Sequence, residues 1–217
     1  IALSDDVQIA PGVTLTIEAG AKVSGNGHAI VAFGKLDVNG TSSQSATLDN
    51  VRVYFGSDHN LPGRVEIDHA TINGGTLFPA TGNGVYGSFS ITNSVIKNVG
   101  SAYIWYPTSD SYFSGNVFIN SGSLSIGTSG VTVHVNDNVF INSGSFQGYN
   151  GSASVISWAS YGSPAIVTGN SFLGTGAALE VSSGYSSANI MSANNYFGTT
   201  ELTLIKSRIL DRSDDLN

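Results

Sequence analysis

The chain contains no cysteine, so neither a disulfide nor a thiolate metal site holds it together. Charge is scarce: 11% of residues are charged, against roughly 25% in an average soluble domain. What charge there is leans acidic, with 8 Lys and Arg against 15 Asp and Glu and a net charge of -7. That balance argues against nucleic acid, whose phosphates need basic clusters, and against anionic membrane surfaces. No apolar run approaches the roughly 18 residues needed to span a bilayer, so membrane insertion is not expected. There are 5 prolines and a single methionine, Met191, in a chain that opens at Ile1. The start is therefore expected to be a processed or trimmed end, with any signal peptide already removed. The lack of cysteine is consistent with a secreted bacterial protein.

What is abundant is small and polar. Glycine reaches 27 residues, and Ser, Thr and Asn fill much of the rest, while hydrophobic residues make up 41%. This composition suits flat strands and tight turns around a real core. A short phrase recurs through it, an Asn followed by apolar residues and then Gly, Ser or Asn. It appears as Asn93-Ser-Val-Ile-Lys-Asn98, Asn116-Val-Phe-Ile-Asn120, Asn138-Val-Phe-Ile-Asn142, Asn170-Ser-Phe-Leu-Gly174 and Asn194-Asn-Tyr-Phe-Gly198, with a degenerate copy at His69-Ala-Thr-Ile-Asn73. The first positions are 24, 23, 22, 32 and 24 residues apart, one period with a single insertion. The insertion is placed in the Gly/Ser/Tyr-rich stretch Gly144 to Tyr161.

Within a period the residues alternate as strands do. Val131, Val133 and Val135 alternate with Thr132 and His134, and Leu124-Ser-Ile126 and Val139-Phe-Ile141 are further short alternations. Three short strands per 22–24 residues describe one triangular coil that must stack on its neighbours to bury its inward face. The fold class is therefore all-β, a right-handed parallel β-helix, with residues 1–217 as one domain. Leu202, Ile205 and Ile209 fall at helical spacing after Thr199 and Thr200, which predicts a capping helix over 201–210, within a closing segment 199–211. The acidic tail beyond Asp211 is expected to leave the core.

Asn194-Asn-Tyr-Phe-Gly-Thr-Thr200, followed by that helix and Asp214-Asp215, resembles the closing motif of secreted bacterial right-handed β-helix repeat proteins. Val7-Gln-Ile-Ala-Pro-Gly-Val-Thr-Leu-Thr-Ile-Glu-Ala-Gly20 and Gly34-Lys-Leu-Asp-Val-Asn-Gly40 are similar to the opening coils of the same group. The resemblance implies the pectin-lyase-like superfold and an extracellular or cell-surface location. It implies little chemistry, because that fold carries lyases, hydrolases, epimerases, adhesins and inert spacers. Chains of the group often continue past the helix, so a module of something larger is expected.

The repeated asparagines Asn93, Asn116, Asn138, Asn170 and Asn194 are expected to stack as a ladder of side-chain amides. A ligand-binding row is the weaker alternative. After them come Thr71, Val95, Phe118, Phe140, Phe172 and Tyr196, and then Ile72, Ile96, Ile119, Ile141, Leu173 and Phe197. One of these rows points out if the other fills the core. An outward row would be an apolar stripe suited to self-association, unless a bend or the insertion covers it. The unpaired ends of the coil stack are a second route to self-association.

Glu66 and Asp68 share one strand face, with Arg64 and His69 beside them and Asp58 and His59 nearby, and form the best catalytic candidate. Glycoside hydrolysis needs two carboxylates roughly 5–10 Å apart. An eliminating lyase would need a Lys or Arg base, for which Arg64 or Lys97 offer themselves. The cluster equally reads as a solvated charged rim. Trp105, Tyr106 and Trp158, with Tyr103, Tyr112, Tyr149 and Tyr161, are candidates to stack on sugar rings or to pack under a loop. No metal motif is present; Asp5-Asp6 and Asp214-Asp215 offer calcium only a loose site, so no cofactor is expected. Three functions compete: an extracellular structural or adhesive module that self-associates into filaments, a polysaccharide lyase or other carbohydrate-active enzyme, and a non-catalytic polysaccharide binder.

Overall fold

A computed structural model describes residues 1–56, 62–79, 87–144, 154–160, 163–181 and 189–211. The chain is a parallel β-solenoid, almost entirely strand, with one short helix near its C-terminus. Three faces result from three strands per coil. The longest sheet has eight strands: Thr14–Glu18, Lys35–Asn39, Gly63–Asp68, Gly87–Thr92, Ser111–Ser114, Val133–Asn136, Ala165–Thr168 and Ile190–Ala193. The second sheet has seven, from Lys22–Ser24 to Ser171–Leu173. The third face is a four-stranded sheet from Val7–Ile9 to Thr76–Leu77, followed by a five-stranded one from Ala102–Trp105 to Ile209–Leu210. Among the described residues every strand pairing within these sheets is parallel, as coils wound in one sense require.

In such a stack, each residue sits in register over its counterpart one coil away. On the second sheet Val23 pairs with Leu48, Leu48 with Ile72, Ile72 with Ile96, Ile96 with Phe118, Phe118 with Phe140 and Phe140 with Phe172. All are buried. Phe118, Phe140, Phe172 and Phe197 stack with ring centroids 4.7, 5.2 and 5.5 Å apart. A second run continues it: Phe55 stacks on Phe78 at 5.0 Å, Phe78–Phe89 and Phe89–Phe113 meet tilted at 4.9 and 4.8 Å, and a Phe113–Phe118 edge contact at 5.8 Å joins the two runs. Eight of the 10 phenylalanines thus form one aromatic spine through the core.

The corner between the longest and second sheets explains the repeated phrase. One column there reads His69, Asn93, Gly115, Asp137, Gly169 and Asn194, all left-handed with φ between 49° and 70°. Gly, Asn and Asp are the residues that adopt this conformation most readily. The next column reads Ala70, Ser94, Asn116, Asn138, Asn170 and Asn195. It faces inward and carries the ladder. The Asn138 Oδ1 accepts from both the backbone N–H (2.9 Å) and the Nδ2 (3.0 Å) of Asn116, and the Asn138 Nδ2 donates to the Phe113 carbonyl at 2.9 Å. Asn138 and Asn170, then Asn170 and Asn195, repeat the pattern.

Asn116, Asn138 and Asn170 are therefore rungs, whereas Asn93 and Asn194 are corner residues. Ser94 and Asn195 take the inward places, Ser94 with its hydroxyl accepting from the Ala70 N–H. The expected row from Ile72 to Phe197 breaks for the same reason. Ile72, Ile96 and Phe197 are buried, Ile119 and Ile141 are half-buried, and Leu173 is exposed. Aligning the phrase on its first Asn slips some members by one residue, and one residue inverts the facing of a strand. The outward apolar surface is instead a pair of short columns on the C-terminal half of the second sheet: Val95, Val117 and Val139, and Ile119, Ile141 and Leu173.

The closing segment also differs from expectation. The helix is Leu202–Lys206 and buries no residue; Leu202 is 81% exposed. Thr199 precedes it as a turn, its hydroxyl accepting from the Glu201 N–H at 3.1 Å, while Glu201 occupies the N-cap position without a side-chain bond. Ile209–Leu210 pair as a strand with Leu179 and Glu180. The end of the core is closed by Arg208, whose guanidinium donates to the carbonyls of Gly176, Phe172 and Phe197. One helical turn is too short to be stable alone, and the chain leaves it at Ser207 to pair Ile209–Leu210 with the last coil. The insertion at 145–153, with Tyr149, and Asp58, His59, Tyr161 and Asp214-Asp215 lie outside the described residues; Ser154–Ser160 is a regular strand of the third face.

Asn138→Ala removes the side-chain acceptor of the Asn116 backbone N–H, one of the two bonds of the Asn116 Nδ2, and the amide donor to the Phe113 carbonyl, all in the core. A loss of roughly 2–4 kcal/mol in urea unfolding is expected. Asn194→Gly, at a left-handed exposed corner, is expected to change stability by less than about 1 kcal/mol. Equal losses in the two variants would refute the ladder assignment.

Candidate functional site

The outward face of the longest sheet carries the polar cluster. Its register stacks Thr16, Asp37, Glu66, Ser90, Tyr112, His134, Ile166 and Met191 in one column. Beside it runs Glu18, Asn39, Asp68, Thr92, Ser114, Asn136, Thr168 and Ala193. Alternation along Gly63–Asp68 sends Val65 and Ile67 into the core and Arg64, Glu66 and Asp68 outward.

The structure brings Arg64, Glu66, Asp68 and His69 onto this one face and adds Lys35 and Asp37, which sequence order keeps distant. Lys35 Nζ lies 2.5 Å from Glu66 Oε2 and 3.2 Å from Asp37 Oδ1. Arg64 donates to Glu66 Oε1 through Nε at 2.6 Å and Nη2 at 2.5 Å. Both cations thus converge on one carboxylate. The hydrogen bond from Lys35, reinforced by Arg64 and opposed by desolvation, holds the Glu66 carboxyl below its ordinary value, and the same bond holds the Lys35 ammonium above its own.

Asp68 accepts from Thr92 Oγ1 at 2.6 Å and Asn93 Nδ2 at 2.9 Å and meets His69 Nδ1 at 2.7 Å. Burial alone would raise its pKa; the bonds from Thr92, His69 and Asn93 together outweigh burial and lower it. Lys97 points out from the second sheet and does not join this face.

A groove of about 270 Å³ crosses the sheet here. Asp37, Arg64, Glu66 and Asp68 line one side, Ser88, Ser90 and Thr92 its floor, and Asp110 and Tyr112 the other side. Tyr112 is 38% exposed, and its ring stacks on His134 with centroids 4.7 Å apart and planes 15° apart.

The other aromatic candidates behave differently. Trp158 lies wholly in the core, in register with Ile126, and cannot meet a ligand. Trp105 points outward but is covered; it lies flat over Gly127, stacks on Tyr103 at 5.2 Å, and donates through Nε1 to Ser125 Oγ at 3.2 Å. Tyr106 is exposed, at a left-handed turn, and meets Trp105 edge-on. The three do not form a common exposed platform. The ring that does border a groove, Tyr112, stands apart from them in the fold, and its period-two outward position was the signal for it.

Among the described residues no group of three or more His, Asp or Glu is placed to hold a metal ion. Asp6 is engaged within the fold, accepting from the Ala29 N–H at 2.8 Å and lying 3.5 Å from Arg52 and 3.6 Å from His28. No helix among the described residues is long and apolar enough to cross a membrane.

The chain therefore belongs structurally to the parallel β-solenoids, with a polar groove on one flank and an apolar patch on another. It matches no family model, no curated protein and no solved structure.

The carboxylates with lowered pKa stabilise the fold above their ordinary range, and that contribution is lost as pH falls through the lowered values. Glu66→Gln is expected to flatten the fall of the thermal midpoint on acidification. Titrating both proteins from pH 7 down to about pH 2, past the carboxylate range, checks this. Superimposable profiles would mean that the ion pairs contribute nothing to stability.

Proposed function

We propose that this chain is a non-catalytic structural and adhesive module of an extracellular or cell-surface protein of the pectin-lyase-like superfold, and that it acts as a stiff rod presenting contact surfaces. The observation that carries this reading is the mutual pairing of the groups in the polar cluster. A glycosidase needs one carboxylic acid protonated near neutral pH, with its pKa raised. Here both candidates, Glu66 and Asp68, are held ionised by donors within hydrogen-bond reach. A lyase needs an unpaired base with a lowered pKa. Lys35 is held protonated, and Arg64 spends its donors on Glu66. The groups neutralise one another instead of standing ready as a catalytic acid or base.

The apolar columns on the second sheet support the adhesive half of the reading. Val95, Leu173 and the adjoining Tyr196 are 37%, 39% and 46% exposed, and half-buried Val117, Ile119, Val139 and Ile141 connect them. A contiguous apolar area on a β-face is a contact surface more often than a solvent surface.

The purified chain, incubated with pectate, alginate and neutral glycans, is expected to release neither reducing ends nor unsaturated uronates. Turnover of any of these that Glu66→Gln abolishes would replace this reading with that of a carbohydrate-active enzyme.

A further inference from the structure

The ring pair at Tyr112 and His134 points to a ligand. Adjacent strands are about 4.8 Å apart, and the two rings are 4.7 Å apart and nearly parallel. The two rings therefore stack one above the other along the column. One face of Tyr112 is covered by His134. The other looks toward the next rung, where the register partner is Ser90, a short side chain. Beyond Ser90 comes Glu66. The column thus leaves a one-rung gap between an aromatic face and a carboxylate that both border the groove.

Two rungs separate Tyr112 from Glu66, about 10 Å. A carbon–carbon stacking contact takes up about 4 Å of that. What is left matches the thickness of one pyranose ring with its hydroxyl hydrogen bonds. Aromatic faces meet the C–H side of sugar rings, and ionised carboxylates accept from vicinal hydroxyls. Both partners are held rigidly: Tyr112 by the His134 ring, and Glu66 by Lys35 and Arg64.

Charge selects the kind of sugar. Asp37, Glu66, Asp68 and Asp110 surround the groove, against two cations, Lys35 shared between Glu66 and Asp37 and Arg64 paired with Glu66. Four carboxylates against two cations leave the groove net negative, which disfavours an anionic sugar. We propose that the groove between Tyr112 and Glu66 binds a neutral glycan, with one pyranose ring stacked on the open face of Tyr112 over Ser90 and its hydroxyls bonded to the Glu66–Asp68 side. The site rests on the non-catalytic reading above, to which it adds a ligand class and a location.

The test is calorimetric titration of the whole chain with cellohexaose, mannohexaose, xylohexaose and hexagalacturonate at millimolar concentration, with cleavage products assayed in the same samples. At least one neutral hexasaccharide is expected to bind and hexagalacturonate is not. Tyr112→Ala is expected to weaken binding by roughly tenfold, Tyr112→Phe to retain it, and Ser90→Trp, which fills the gap, to abolish it. Tyr112 and Ser90 point outward, so circular dichroism and thermal midpoints of the variants are expected to match the parent and to separate lost binding from lost folding. Absence of binding by all three neutral probes, binding indifferent to Tyr112→Ala, or preference for hexagalacturonate would each overturn the site while leaving the non-catalytic reading intact. Neutral-glycan binding that depends on Tyr112 but ends in cleavage would uphold the site and overturn the non-catalytic reading.

Discussion

Every feature of this protein follows from the in-register parallel pairing of one coil with the next. Backbone hydrogen bonds hold successive coils one strand-spacing apart, so a side chain's nearest neighbours are its own counterparts above and below. Like residues must therefore tolerate like. Phenylalanine does so by stacking its rings, and asparagine by offering each amide as donor to one neighbour and acceptor to another. Ionised groups do so only with help from the neighbouring column: Lys35 stacks on Arg64 and Asp37 on Glu66, and the charges cancel sideways, Lys35 bridging Asp37 and Glu66 while Arg64 pairs with Glu66.

The same constraint made the fold legible from residues alone. A period of about 23 residues, alternation within it and an Asn in each copy are direct consequences of stacking. What sequence could not separate were the two jobs that asparagine does at the corner. Asn93 and Asn194 are there because they accept a left-handed backbone, and Asn116, Asn138 and Asn170 because their amides bridge coils. Both jobs select the same residue at adjacent positions, so the phrase aligned one residue early at its edges, and the facing of the apolar rows went with it.

The polar face was legible only in part. Arg64, Glu66, Asp68 and His69 lie within one short run, and their grouping was visible. Lys35 and Asp37 reach Glu66 only through the sheet register, and Tyr112 meets the groove through two further rungs. The tryptophans drew attention by size, yet Trp158 serves the core and Trp105 covers Gly127. Arg208 gave no local signal, since its partners are carbonyls distant in sequence.

The outward columns also change character along the axis. On the longest sheet Asp37 and Glu66 give way to Tyr112, Ile166 and Met191; on the second, Asp49, Asn73 and Lys97 give way to Ile119, Ile141 and Leu173. The rod is thus amphiphilic lengthwise and has a chemical direction. Salt acts oppositely on its halves, screening the ionic coils while strengthening apolar contact at the others. Anything lying along two flanks at once has only one orientation that matches both.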